Sequence, residues 1–291
     1  MLVYLNGQYV PLREATVSAL DRGLIFGDGV YEVWRAVRGR LFEAERHQAR
    51  LERGLRELRI VPPADATLGR LTSIGERLLG ENELLGGDAT LYVEITRGAA
   101  PRSHYFPVVG TPSTLLVMAG KLSLSDARYN GTSVITQPDI RWLRCDLKTV
   151  QLLPNVLARQ AATDAGASEA IFVRDGVITE GTHTTVFAVI DGVLRTHPAN
   201  HLVLPGVTRE VVIELARGME MAVREQGVAV AELPNASELF LTGTTTDVTP
   251  VVRVDGAKIG GGSPGPIASA LRDRLLERIG APAGALTSVQ G

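Results

Sequence analysis

Asn6-Gly7, Asp175-Gly176, Asp191-Gly192 and Asp255-Gly256 each separate two apolar or β-rich segments. Such pairs tolerate the positive φ that both central positions of a two-residue hairpin demand. They are spread along the chain, so antiparallel pairing recurs from one end to the other. Between them lie stretches of helical period. Leu51, Leu55 and Leu58, with His47 one turn earlier, mark one face of a helix of about four turns. Thr67–Leu79 predicts a second helix, and Val207–Met219, with apolar residues at 207, 211, 212, 215 and 219, a third. Further helices are expected at Leu152–Ala165 and Ile267–Ile279. Strands are expected at Ala89–Thr96, Ser113–Met118, Ser133–Gln137, Val228–Ala231, Leu239–Leu241 and Thr249–Val254. This mixture predicts two α/β (α+β) domains. The smaller spans 1–120, a polar, turn-rich linker spans 121–131, and the larger spans 132–291. The tail from Ala281, small and polar, is expected to be mobile.

With 291 residues, 45% of them hydrophobic, the chain can bury a substantial core. A formal charge of -2 leaves no electrostatic footprint for nucleic acid or an anionic membrane. No apolar run approaches the roughly 20 residues that span a bilayer, and Met1–Gly7 lacks the basic-then-apolar pattern of a signal peptide. The single cysteine, Cys145, excludes an internal disulfide framework and a cysteine-rich zinc site. His47, His183, His197 and His201 are too scattered to form a metal ligand set. A cytoplasmic protein with no nucleic-acid, membrane or metal partner is expected.

Of 30 basic residues only Lys121, Lys148 and Lys258 are lysines. Lys121 precedes a polar loop and Lys258 lies beside a hairpin turn, so both read as solvated. Lys148, in Cys145-Asp-Leu-Lys-Thr-Val-Gln-Leu-Leu-Pro-Asn155, falls between a strand region and a helix. A partly desolvated lysine there has a lowered pKa and can attack an aldehyde, although a structural lysine is the default. Glu180 ends a strand-like run and could hold a cation such as a protonated pyridine nitrogen, or could be a solvated edge residue. Leu204-Pro-Gly-Val-Thr-Arg209 opens the third helix, where backbone N–H groups and the helix dipole favour an anion. Thr242-Gly-Thr-Thr-Thr246 reads either as a second phosphate cradle or as a turn capped by side chains. Arg50 lies on the first helix among other arginines. Arg102 and His104, two apart in a loop, could clamp a carboxylate. Gly260–Gly265 matches GxGxxG, but no acidic residue follows about 20 positions on to hold a ribose, so it reads as a glycine-rich loop.

Taken in order, Arg22-Gly-Leu-Ile-Phe-Gly-Asp-Gly-Val-Tyr-Glu32, Arg50, Lys148 with Asn155, Glu180-Gly181, Gly206-Val-Thr-Arg209 and Thr242–Pro250 resemble the class IV (fold type IV) aminotransferases. The resemblance runs from about residue 2 to residue 280. Pro101-Arg-Ser-His104 and His197-Pro-Ala-Asn200 make it most similar to the D-amino-acid branch of that class. Gly243-Thr244 is similar to the branched-chain members.

The resemblance implies two α/β domains with pyridoxal 5'-phosphate at their interface, carried as a Schiff base on Lys148. It implies Glu180 at the pyridine nitrogen, and Arg50, Val207, Thr208, Gly243 and Thr244 around the phosphate. Leu204 is expected against the ring. Tyr31, Arg102, His104 and Thr245 are expected around the substrate, with the Arg102/His104 loop supplied by the other subunit of a homodimer. The implied reaction exchanges an amino group between a D-amino acid and a 2-oxo acid, ping-pong through pyridoxamine phosphate. A branched-chain L-amino-acid aminotransferase, an (R)-amine transaminase and a 4-amino-4-deoxychorismate lyase share the same scaffold.

Overall fold

A computed structural model of the chain describes residues 1–280, so the expectations for the tail from Ala281 and for the end of the 132–291 domain lie outside the described residues. The described chain divides into two compact units. The first comprises Met1–Ser123 and Leu147–Leu152, the second Leu124–Asp146 and 153–280.

The first unit is a six-stranded antiparallel sheet with helices. Its strands are β1 (Leu2–Leu5), β2 (Gln8–Pro11), β3 (Gly29–Val37), β4 (Arg40–Leu41), β5 (Asp88–Thr96) and β6 (Thr114–Lys121), in the order β2-β1-β6-β5-β3-β4. Its helices are α1 (Arg22–Phe26), α2 (Ala44–Glu57) and α3 (Leu68–Glu81). Asn6 and Gly7 take φ of 48° and 91°, the mirror-image turn their types favour. Thr67 caps α3 by accepting from the Arg70 N–H. Leu51 and Leu55 of α2 and Leu71, Ile74 and Leu78 of α3 pack with Trp34, Leu91 and Val93 of the sheet. Each such buried leucine contributes about 1.5–3 kcal/mol.

β3 pairs with β5 along nine residues, from Gly29 opposite Thr96 to Val37 opposite Asp88. Its core-facing row runs Val30, Glu32, Trp34, Ala36. Glu32 in that row is fully buried. A carboxylate in a strand's core row demands a counter-charge.

The second unit holds β7 (Thr132–Pro138), β8 (Glu169–Arg174), β9 (Val177–Gly181), β10 (Thr185–Ile190), β11 (Val193–Thr196), β12 (Val223–Glu225), β13 (Val228–Ala229), β14 (Ala236–Gly243), β15 (Asp247–Val254) and β16 (Ala257–Lys258). They form one mixed sheet ordered β12-β11-β10-β14-β15-β7-β8-β9-β13, with β16 beside β15. The helices are α4 (Ala127–Asn130), α5 (Leu153–Asp164), α6 (Val207–Gly218) and α7 (Pro266–Ile279). β7 and β8 are parallel, so the chain must cross over between them, and α5 lies on that crossover. The rings of Phe187 and Phe240 stack at 5.1 Å in the interior.

Three expectations need correction. The strand expected at Val228–Ala231 stops at Ala229, and a 3-10 helix over Val230–Asn235 replaces its end. The polar, turn-rich linker expected over 121–131 begins one residue inside β6, which Lys121 closes, and includes a helical turn at Ala127–Asn130. Residues Leu147–Leu152 group with the first unit, whereas the expected second domain ran unbroken from 132.

Candidate active site

Lys148 is held in the first unit by backbone pairing. The Tyr31 N–H donates to the Lys148 carbonyl at 3.0 Å, Val30 bridges Thr149, and the Val150 N–H donates to the Gly29 carbonyl at 3.2 Å. Residues 148–150 therefore run alongside the start of β3. The Lys148 ammonium lies 4.0 Å from the centroid of the Tyr31 ring. Lys121 and Lys258 are exposed and Lys148 is half-buried.

Arg50, on the second turn of α2, points one edge of its guanidinium at Glu32. Nε donates to Oε2 at 2.8 Å and Nη2 to Oε1 at 2.7 Å. His47, one turn earlier, places Nδ1 3.0 Å from the same Oε1. Burial opposes ionisation of Glu32, but Arg50 and His47 hold its carboxyl far below the usual range. Burial also lowers the His47 pKa, so its neutral ring donates from Nδ1 to the carboxylate. Neither Glu32 nor the partnership with His47 was expected from sequence. The period that identified the helix also places 47 and 50 on adjacent turns, but their shared acceptor lies 15 residues or more upstream.

Arg102 and His104 occupy an exposed loop between β5 and β6, and both lie against Phe26 of α1. The Arg102 guanidinium carbon is 5.5 Å from that ring's centroid, and the His104 ring 5.6 Å. The structure thus brings Lys148 next to Tyr31 and Arg102 next to His104 within the first unit.

In the second unit Glu180, at the end of β9, is buried. Its carboxylate meets the Arg141 guanidinium and accepts the Leu204 N–H at 3.2 and 3.1 Å. Arg141 is itself clamped, with Nε on Asp139 at 2.9 Å, Nη2 on the Leu202 carbonyl at 3.1 Å, and Phe172 stacked at 4.6 Å. Burial pushes the Glu180 carboxyl up to about 7, with Arg141 and the Leu204 N–H opposing that rise. Asp139 is held below its usual range, burial being outweighed by Arg141. Arg141 and Asp139 were not singled out from sequence. The available signal was chemical, because a carboxylate buried at a strand end needs a cation.

The turn after Glu180 is fixed by the Gly181 N–H on the Thr184 carbonyl at 2.7 Å and by Asn155 Nδ2 on the Thr182 carbonyl at 2.7 Å. Leu204 leads into α6, whose N-cap is Gly206 with no capping side chain. A Cβ on Gly206 would come within 3.0 Å of Thr185 Oγ1, so the start of α6 sits close to β10. Val207 and Thr208 form its buried first turn. Gly243, Thr244 and Thr245 lie in the tight β14–β15 turn, closed by the Thr246 N–H on the Gly243 carbonyl at 3.1 Å. Within this unit, then, Glu180 and Leu204 are bonded, Val207 and Thr208 share one helix start, and 243–245 share one turn. An uncapped helix start, a hydroxyl-rich turn and a buried carboxylate suit a phosphorylated cofactor with a basic ring nitrogen. Among the described residues no cluster of histidine, cysteine or acidic side chains could hold a metal ion.

A family model of amino-transferase class IV matches residues 29–254. The D-alanine aminotransferase of Bacillus licheniformis is 39% identical over 279 residues, covering 96% of this chain and 97% of that protein. That of Staphylococcus haemolyticus is 38% identical over 275 residues, covering 93% and 95%. Among solved structures, the branched-chain amino acid aminotransferase of Escherichia coli superposes with a TM-score of 0.86 at 25% identity, covering 95% of this chain and 93% of its own. A second branched-chain amino acid aminotransferase, solved with pyridoxamine 5'-phosphate, gives 0.86 at 28% identity, covering 96% and 94%.

Proposed function

Since the chain belongs to the class IV aminotransferases, which depend on pyridoxal 5'-phosphate, we propose that it moves the amino group of a D-amino acid such as D-alanine or D-glutamate to a 2-oxo acid such as 2-oxoglutarate or pyruvate. The observation that carries this is the match to D-alanine aminotransferases over nearly the full length of both chains.

Bound pyridoxal 5'-phosphate supplies an aldehyde carbon and a ring that takes up the electron pair left when a Cα–H bond breaks. Lys148 Nζ would hold that carbon in the resting enzyme. When free, the same amine would take up the substrate's Cα proton as base and give it back as acid. Glu180 would accept from the ring N–H and hold the proton there, with Arg141 fixing the carboxylate's position. Val207 and Thr208 at the start of α6, with Gly243 and Thr244, bind the phosphate, and Arg50 adds a positive charge. Leu204 packs against the ring, and Thr245 faces the substrate. Tyr31, Arg102 and His104 orient the α-carboxylate, which decides the face of Cα that Lys148 meets.

A second copy of this chain supplies the Arg102/His104 loop in our reading. Leu24, Tyr105, Phe106, Val108 and Val109 are large apolar side chains exposed in the first unit, the kind of surface a homodimer covers. No helix among the described residues is long and apolar enough to cross a membrane. We assign the reaction to the cytoplasm, where amino and 2-oxo acids are exchanged.

The test mixes the cofactor-loaded protein with D- and L-alanine, D- and L-glutamate, L-leucine and an (R)-amine, following the visible band of the bound cofactor. The band is expected to fall with the D-amino acids only. A response confined to L-leucine makes the chain a branched-chain enzyme. Pyruvate formed from 4-amino-4-deoxychorismate without any acceptor makes it a lyase.

A further inference from the structure

The loop that carries Arg102 and His104 has no regular structure, and residues 101–106 are all exposed. It is nevertheless gripped by buried charges. Arg22 Nη1 donates to the Ser103 carbonyl at 2.7 Å and to the Tyr105 carbonyl at 3.3 Å, the two carbonyls that flank His104. The ring of Phe106 lies 3.9 Å from the guanidinium carbon of Arg97. Both arginines converge on Asp28, Arg22 through Nε at 2.8 Å and Arg97 through Nε at 2.8 Å and Nη2 at 2.9 Å. Arg97 is tied further to the Leu58 and Arg59 carbonyls at 2.7 and 2.8 Å. Arg22 and Arg97 are 5% and 8% exposed, respectively.

Burying two guanidiniums on one carboxylate is costly unless their donors are used. Here Arg22 Nη1 reaches the Arg102/His104 loop, and Arg97 Nη1 and Nη2 reach the backbone between α2 and α3. The pair therefore joins the rigid end of β5 to a segment with no ladder of its own.

We propose that Arg22 and Arg97, locked on Asp28, are positioning residues that hold Arg102 and His104 ready for an α-carboxylate, and so favour α-amino acids over simple amines. This rests on the reading of Arg102 and His104 as carboxylate ligands. A freely moving loop would pay its ordering entropy each time a carboxylate bound, so its loss of order should appear in KM rather than in kcat.

Two variants of the cofactor-loaded enzyme test this. Arg22→Met removes the grip on the loop carbonyls, and Phe106→Ala removes the stack on Arg97 without opening the core. Because Phe106 belongs to the surface assigned to the homodimer, both variants are compared with the parent at equal dimer content, checked by gel filtration. Two readouts are taken, the rate of tryptic cleavage after Arg102 and the steady-state constants for D-alanine. Cleavage is expected to speed up at least about ten-fold and KM to rise about ten-fold, with kcat within about three-fold. In an Arg102→Ala, His104→Ala background the same substitutions should add nothing to KM, because they act through those two residues. Unchanged cleavage in both variants overturns the clamp, and so does an equal extra rise in KM in that background. If the Arg102→Ala, His104→Ala enzyme keeps the parent KM, the carboxylate reading fails and the specificity claim with it, while the cleavage rates still report on the clamp.

Discussion

The ammonium of Lys148 lies 4.0 Å from the centroid of the Tyr31 ring, and the Tyr31 N–H donates to the Lys148 carbonyl at 3.0 Å. Backbone and side chain of the two residues are thus registered together at the start of β3. The ring face stabilises the ammonium by about 0.5–2 kcal/mol, depending on how far it is desolvated. Lys148→Ala is expected to lower turnover by roughly 10⁴-fold. Borohydride should no longer attach the cofactor to the peptide containing position 148. Tyr31→Phe keeps the ring and loses the hydroxyl, so kcat/KM for D-alanine should fall about ten-fold. Equal losses in Tyr31→Phe and Tyr31→Ala would leave the ring without a role.

Arg141 controls the charge of Glu180. The Glu180 carboxyl stands at about 7 because burial outweighs the pull of Arg141. In Arg141→Met that pull is gone, so the pKa moves higher. Activity that needs the ionised carboxylate should then have its acidic limb displaced to higher pH, with kcat recovering as pH is raised. Glu180→Gln cannot recover at any pH, and its kcat should stay about 10²-fold down or more. Coincident pH–rate profiles for Arg141→Met and the parent would remove Arg141 from this role.

Glu32 gives the first unit an acid-sensitive point. Its folded pKa is depressed far below the ordinary 4.5, so its contribution is fully present above 4.5 and is lost as pH falls through the lower folded value. The His47 pKa is lowered from 6.5, and an imidazole kept neutral in the fold loses stability as pH drops below that figure. Urea denaturation should show stability declining from about pH 6.5 downward and falling further below about pH 4.5. Glu32→Gln leaves the partly buried Arg50 facing a neutral amide and should cost about 3 kcal/mol at about pH 7. A loss under about 1 kcal/mol would mean that Arg50 finds another anion.

Thr208 tests the phosphate assignment. It sits in the buried first turn of α6, where no side chain caps the helix. Thr208→Val keeps the shape and deletes the hydroxyl. The dissociation constant for pyridoxal 5'-phosphate, measured by fluorescence titration of apoenzyme, should rise about 10- to 100-fold, the worth of one hydrogen bond to a charged group. Thermal stability of the apoenzyme should stay within a few degrees of the parent. An unchanged constant would place the phosphate elsewhere.

The hairpins at Asn6-Gly7, Asp175-Gly176, Asp191-Gly192 and Asp255-Gly256 and the helices α2, α3 and α6 were legible in the sequence, because turn chemistry and apolar period act over a few residues. The order of Lys148, Glu180, Thr208 and Thr244 was read in another way, as a resemblance to the family whose model matches residues 29–254. Tertiary structure alone decided what surrounds those residues. Glu32 meets Arg50 18 residues away, Arg141 meets Glu180 39 away, and Arg22 reaches the Ser103 carbonyl 81 away. It also decided that 147–152 belongs with the first unit. Buried charges select partners by proximity in three dimensions, and neither residue period nor turn type records which pair will meet. For Lys148 the sequence supplied the residue and its chemistry, and the fold supplied the Tyr31 ring beside it.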